Sequence, residues 1–580
     1  MAFLVSPGVN TSEIDQTTTV PSVGTSTGAT VGVFRWGPAN TVIQVSSESD
    51  LVQQFFEPDL NTATAFISAA NFLAYGNDLR IVRVINTTAG ANCSNNAVSN
   101  TSHYATIAND DDYFNNQYTT ANTLVQFSAR YPGSIGNSLK VSVCANGSSF
   151  SSWAYASYFD RAPNTSSYAT TTTGNANLKD ELHLVVVDED GLISGTANTI
   201  LERWANLSKA SDARADDGSS LYYKEVLYRN SQWIHWLGHG AGSNSTNVWG
   251  QTVATVNSSG DKFHQPPVAN YSLSNGADGS VTKPNMINAI GLLNDKEKID
   301  ISLLFTGDCG VGANSAISSV DVANEYLTVA ATRKDCVAFV SPAQANVVGA
   351  LASADAVVDY RNALTSTSYG VMDSGWKYQY DKYNDVYRWI PLNADVAGLC
   401  VRTDLQRDPW FSPAGLNRGQ ILNLVKLGFN PTQAERDTLY KGGVNPVVSF
   451  PGEGTVLFGD KTLQGRPSAF DRINVRRLFI VLEKAISAAA RSSLFEFNDE
   501  FTRAQFVALV EPFLREVQGR RGIYDYRVVC DDTNNTPAVI DRNEFIGDIY
   551  IKPARSVNFI QLNFVAVRSG VAFDEIVGRF

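Results

Sequence analysis

The 580-residue sequence has six cysteines, and no two of them form a CxxC or any other close pair. Cys93, Cys144, Cys309, Cys336, Cys400 and Cys530 are scattered. The last three named, Cys336, Cys400 and Cys530, sit in apolar or strand-like runs and read as reduced core residues, which fits folding in a reducing cytoplasm. Long apolar runs are missing too. None approaches the roughly 20 residues that cross a bilayer, so no membrane insertion is expected. The opening MAFLVSPG carries no basic segment and no long apolar stretch, and does not read as a secretory signal. Positive charge is in deficit: 45 Lys and Arg face 57 Asp and Glu, a net charge of −12. Nucleic acid and anionic membranes both require a basic surface, so neither is expected as the main partner.

What is present is an ordinary globular composition, 43% hydrophobic and 11% aromatic, which excludes wholesale disorder. The length calls for about three or four domains. Charge is uneven. Residues 461–580 hold 17 basic against 15 acidic residues, which leaves 28 against 42 in residues 1–460. A near-neutral C-terminal part on an acidic body suggests that one end faces something other than solvent.

Residues 1–20 read as an arm with too little apolar surface to fold alone. Residues 21–84 read as α/β, with ATVGVFRW as a strand, a helix over 64–76 and the buried strand LRIVRVI. The pattern resumes at IDISLLF (299–305), a helix near 319–333, VAFVS, and a helix near 348–364. One central mixed sheet flanked by helices, built from 21–84 and 279–431, makes 85–278 an inserted β-rich outer domain with hairpin signals such as VVVDEDGLIS. From 432 to 580 an α+β domain is expected. Its helices run over 473–491 and 501–518, its strands over 523–530 and 545–551, and a last strand covers about 558–566. The fold class is thus α/β and α+β, multidomain, with extended terminal arms.

Each motif with catalytic associations lacks its context. Gly24–Gly28 is a literal GxSxG around Ser26, but a hydrolase elbow needs a strand before the serine and a helix after it. His235 and His239 have the spacing of a zinc pair, yet Trp236 stands where the glutamate would be and no third ligand is evident. Gly307–Gly312 follows a strand but lacks GK[ST], so a tight turn is expected. Asp110–Asp112 and Asp188–Asp190 lack EF-hand periodicity and read as solvated loops. The aromatic run Trp376, Tyr378, Tyr380, Tyr383, Tyr387 and Trp389 is interleaved with Asp373, Asp381 and Asp385. A structured loop or a subunit contact suits it better than nucleic-base stacking. A serine or metal hydrolase is the remote alternative; no enzyme, cofactor or metal is expected.

Long ordered blocks carry the functional signal: LVSPGV (4–9), FRWGPA (34–39), NFLAYGNDLRIVRV (71–84), KYQYDKYNDVYRWIPLNADVAGLCVRTD (377–404), SPAGLNRGQILNLVKLGFNPTQAERDTLY (412–440), FDRINVRRLF (470–479), YDYRVVCDDTNNTPAVIDRNEF (524–545) and YIKPARSVNFIQLNF (550–564). Over 1–84 and about 290–580 the chain resembles the contractile tail sheath proteins of T-even-type myoviruses. That resemblance implies a structural subunit stacked as hexameric rings around a tail tube. The sheath contracts to drive the tube through the host envelope, with tube, baseplate and tail terminator proteins as partners. It places the chain in the virion, after assembly in the host cytoplasm. A sheath from a genome-free injection particle is the nearer alternative. The large outer domain of the T-even type is expected to be reduced to about 88–122.

The resemblance further implies that terminal arms add strands to neighbouring subunits. Here those arms carry Phe3, Leu4, Val5 and Val9 at one end, and Phe559, Ile560, Leu562 and Phe564 at the other. It also implies that the C-terminal domain faces the tube. Residues 466–491 carry six basic against two acidic residues. Arg472, Arg476, Arg477 and Lys484 are the tube-facing candidates, against a solvated helix face or intrachain pairing with Asp499 and Glu500.

Overall fold

The computed structural model describes residues 24–86, 107–119, 125–239, 249–311, 316–558 and 561. They form two compact units. Of the described residues, the large one comprises those from 24 to Pro409 with Pro413–Lys484; the small one is built from Trp410–Ser412 and those from Ala485 onward. The boundary expected at 432 therefore falls about fifty residues later. A β-pair and the first part of a long helix belong with the large unit, because their apolar side chains complete its core.

The large unit opens with β1 (Gly28–Gly32), β2 (Val42–Val45), α1 (Glu48–Phe55), α2 (Ala63–Leu73) and β3 (Leu79–Arg83). The chain then leaves the sheet for an insertion. This contains α3 (Asp110–Asn116), β4 (Phe127–Ala129), β5 (Leu139–Cys144), α4 (Ser167–Thr173), β6 (Glu181–Asp188), β7 (Thr199–Ser208), α5 (Tyr223–Asn230), β8 (Ile234–Trp236), α6 (Val253–Ser258) and β9 (Ala269–Ser272). Strands β7-β6-β5-β9 form an antiparallel sheet, and β4 pairs with β8.

After α7 (Lys283–Gly291) the chain re-enters the first sheet with β10 (Leu303–Phe305), α8 (Ser319–Arg333), β11 (Val337–Val340), α9 (Ser353–Asn362) and β12 (Gly370–Met372). The sheet order is β12-β11-β10-β1-β3-β2, parallel except for edge strand β2. Alternation along its strands builds two cores. Ala29, Val31, Leu304, Ala338 and Val340 face one way, with residues of α7, α8 and α9. Leu303, Phe305, Val337 and Phe339 face the other, with residues of α1 and α2. Both faces are covered, so β10 and β11 are apolar at every position. Helix α8 starts where the Ser318 side chain accepts from the Asp321 N–H, and stops at Lys334, which is left-handed (φ 64°).

The large unit continues with β13 (Trp376–Asp381), β14 (Val386–Pro391), α10 (Asn393–Gln406), β15 (Lys426–Leu427), α11 (Gln433–Lys441), β16 (Val447–Phe450) and β17 (Gly454–Leu457). Helix α12 (Ile473–Ala490) begins in it. The small unit adds α13 (Glu500–Gly519), β18 (Ile523–Val529), α14 (Pro537–Ile540) and β19 (Asp548–Pro553). Its core is short, with Phe506, Val510, Leu514, Val517, Ile523 and Cys530 buried.

Candidate assembly surface

In the small unit β18 and β19 pair antiparallel as a sheet of only two strands among the described residues. Asp499 caps α13 by accepting from the Thr502 N–H at 2.8 Å. Asn535 clamps the connection between the strands. Its amide donates to the Ile546 carbonyl at 2.8 Å and accepts from the Ile546 N–H at 2.9 Å. Tyr524 and Tyr550 on the two strands are exposed. The residues expected to extend this sheet, Phe3, Leu4, Val5, Val9, Phe559, Ile560, Leu562 and Phe564, lie outside the described residues.

The four basic candidates make contacts within their own subunit, with Arg476 and Arg477 buried and Arg472 and Lys484 half-buried. Arg477 is 3% exposed and forms a two-pronged ion pair with Asp404, at 2.8 and 2.6 Å. Burial works against its charge, but Asp404 and then Cys400 hold the guanidinium above its ordinary pKa. Arg476 is sandwiched between the rings of Tyr369 (4.2 Å) and Phe470 (4.0 Å) and donates to Ser368. Arg472 meets Asp460 at 3.3 Å and donates to the Tyr440 hydroxyl. Lys484 meets Asp300 at 2.8 Å and the Ile301 carbonyl at 2.9 Å. The pairing is intrachain, with these carboxylates rather than Asp499 and Glu500. The physical reason is that the first two turns of α12 are buried nearly all round, so an apolar stripe does not mark the opposite side as solvent.

The catalytic-looking motifs have structural employment. Thr25 and Thr27 flank Ser26 and donate to Asp404 and Asp78, which docks the segment on the large unit. His235 lies on strand β8 opposite Ser128, not on a helix, and stacks on Tyr113 at 3.9 Å. Burial, then Arg130, drives its pKa well below the ordinary histidine value. His239 accepts from or donates to the Tyr223 hydroxyl at 2.7 Å and is pushed down to about 4, mainly by burial.

The loop after β10 occupies the crevice where open α/β sheets commonly take ligands, because the strand order reverses between β1 and β10. Asn393 fills that position. It accepts from the Gly307 N–H at 3.1 Å and donates to the Gly307 carbonyl at 2.8 Å and Thr306 Oγ1 at 3.1 Å.

Two acidic runs expected as solvated loops are partly built into elements, while Asp111 and Asp190 are exposed. Asp110–Asp112 open helix α3. Asp188 is buried and accepts from the Ile193 and Ser194 N–H groups, bracing the turn between β6 and β7. The aromatic run expected as a structured loop or a subunit contact forms the hairpin β13–β14. Five cysteines, all but Cys93, are described; they are unpaired thiols and buried. No described helix is long and apolar enough to cross a membrane.

The comparisons agree with this architecture. Residues 25–84 match the tail sheath protein Gp18 domain III N-terminal region, 304–463 the phage tail sheath protein central domain, and 466–566 the phage tail sheath C-terminal domain. The tail sheath protein of Vibrio phage KVP40 is 34% identical over 99% of this chain and 100% of its own length. That of Enterobacteria phage T4 is 33% identical over 99% of both. The sheath tail protein from Listeria innocua shares the fold at a TM-score of 0.51 and 10% identity, over 92% of this chain and 96% of its own. The one from Desulfitobacterium hafniense does so at 0.50 and 11%, over 95% and 100%. With its whole length aligned to curated tail sheath proteins above 30% identity, this chain belongs to the phage tail sheath protein family.

Proposed function

We propose that this chain is the repeating mechanical subunit of a viral contractile tail. It stacks as six-membered rings around a tail tube, held between baseplate and tail terminator proteins, and contracts without chemistry of its own. The observation that carries this reading is the end-to-end identity with tail sheath proteins. Stored energy then lies in the choice between two packings of the same subunits, so no nucleotide or cofactor is required. The subunit is made in the host cytoplasm and resides in the virion.

The small unit supports strand exchange between subunits as the linking device. A sheet of two strands is marginal alone, and three or more stabilise it. Each strand added from a neighbour's arm would form several backbone hydrogen bonds, each about 0.5–1.5 kcal/mol net. Burying Ile560, Leu562 and Phe564 would add roughly 1.5–3 kcal/mol per side chain. Electron microscopy of the purified chain tests the reading: tubes or rings are expected. Deleting 1–18 or 555–580 is expected to give folded subunits that no longer polymerise. Normal tubes from both truncations would remove the arms from the linking role.

A further inference from the structure

The aromatic hairpin presents a plate whose inner ring, Trp389, packs on the core of its own subunit and whose outer rings, Tyr380 and Tyr387, stay exposed. On one face of the sheet β14-β13-β15, Trp389, Tyr378 and Lys426 lie in register across the three strands, and Tyr380 pairs with Tyr387 in the next row. Ring centroids are 4.8 Å apart for Tyr378–Trp389 and 5.2 Å for Tyr380–Tyr387. The ammonium of exposed Lys426 stands 5.0 Å over the Tyr378 ring and 5.6 Å over that of Trp389. The opposite face is the one turned inward, where Lys377 meets Asp395 and Gln379 accepts from Asn71. Tyr380 and Tyr387 remain 45% and 53% exposed. Exposed rings flanked by a cation mark a surface made for a partner.

The small unit carries the opposite kind of feature. Between α12 and α13 the chain reads Leu494-Phe495-Glu496-Phe497-Asn498-Asp499-Glu500-Phe501. Phe495 is fully exposed, Phe497 84% and Phe501 75%. Phe495 also holds a left-handed backbone (φ 70°), which a bulky residue adopts only under constraint. Three carboxylates punctuate this knob, so it repels nucleic acid, anionic lipid and another knob alike. It calls for an apolar surface with a positive charge, and the plate supplies both.

We infer that the phenylalanine knob of one subunit docks on the aromatic plate of a second copy of this chain, with Glu496 and Glu500 directed at Lys426. The inference rests on the self-assembly reading above and names residues for it. Because knob and plate are different surfaces of one chain, the contact is head-to-tail. Such contacts propagate into rings and helices rather than closing as a dimer.

The test is made on the full-length chain under polymerising conditions. With Phe497 replaced by the photo-crosslinking residue benzoylphenylalanine, irradiated polymer is expected to yield covalent dimers, and unassembled subunits none. The linked peptide should map to 376–391 or 425–427 of the second copy. Lys426→Glu is expected to raise the concentration needed for polymerisation at least tenfold, with the circular dichroism of the subunit unchanged. Adding Glu496→Lys to that variant should restore most of the loss. Polymers whose cross-links map elsewhere, or that form as well with Lys426→Glu, overturn the docking and leave the sheath reading standing. Wild-type chain that forms no polymer at all overturns both.

Discussion

Arg477 and Asp404 show how strongly a single pair is committed to the folded subunit. Both are nearly inaccessible, and their two-pronged geometry satisfies charge and hydrogen bonding together. Removing one partner leaves the other charge buried and unpaired. Arg477→Ala is therefore expected to cost about 3–5 kcal/mol of large-unit stability, read as a fall in the denaturant midpoint. Arg476→Ala should cost less, since the ring sandwich loses a cation and Glu483 loses a nearby positive charge, but no two-pronged ion pair is broken. Asp373 supplies a pH signature. Burial pushes its carboxyl up to about 7 despite hydrogen bonds from Ser341 Oγ and the Gly375 N–H. The folded value lies above the unfolded one, so the stabilisation from the protonated acid is complete below about pH 4. It is lost as the pH rises through about 7, at roughly 1.4 kcal/mol per unit in between. Asp373→Asn is expected to flatten that slope relative to the wild type in denaturation series run from pH 4 to 7. Parallel slopes would mean that Asp373 is ionised in the folded chain.

At the scale of elements, the contact of α2 with β1 is set by one missing side chain. A Cβ built on Gly28 would lie 2.3–2.9 Å from the ring atoms of Phe72. That ring is held in place by stacking on Phe305 at 5.3 Å. Gly28→Ala is expected to destabilise the large unit by about 1–3 kcal/mol, measured by thermal or chemical denaturation. No loss would mean that α2 slides freely on the sheet. Elements of this kind were legible in the sequence. Helices α2, α8, α12 and α13, and strands β3, β11 and β18, fall within a few residues of their expected ranges, because their apolar periodicity is undisturbed. Strand β10 is shorter than the IDISLLF run suggested, and the aromatic hairpin was not legible as strands. Its outward rings and inward Lys377 and Asp381 invert the usual alternation, and no period-based reading anticipates a buried lysine.

At the scale of the whole molecule, the insertion leaves and returns at one point: the Asn86 amide donates to the Ser280 carbonyl at 2.6 Å. Two features tie it to the sheet domain. Trp36 packs against Tyr131 and Trp233, and buried Arg83 donates to the Pro132 carbonyl as well as to the Phe34 and Gly37 carbonyls. Replacing 87–279 by a short Gly-Ser linker is expected to leave a soluble protein that unfolds cooperatively, with a lower melting temperature because Trp36 and Arg83 lose their cover. A molten product would mean that the sheet domain needs its insertion to fold.

The sequence by itself determined the family, because long ordered blocks of side chains are copied whole. It determined the alternating strands and helices too, because local periodicity is written residue by residue. It also showed why catalytic motifs fail, because each needs neighbours in sequence that are absent. Only the tertiary structure decided which charges are free. Whether an arginine on α12 faces a partner or a carboxylate some seventy residues away depends on what surrounds that helix. The folded chain also decided the extent of the C-terminal unit, since the first half of α12 buries Ile473 and Ile480 in the large unit's core. Pattern along one chain reports which face of an element is apolar; the number of faces that become buried is settled only when the other elements pack around it.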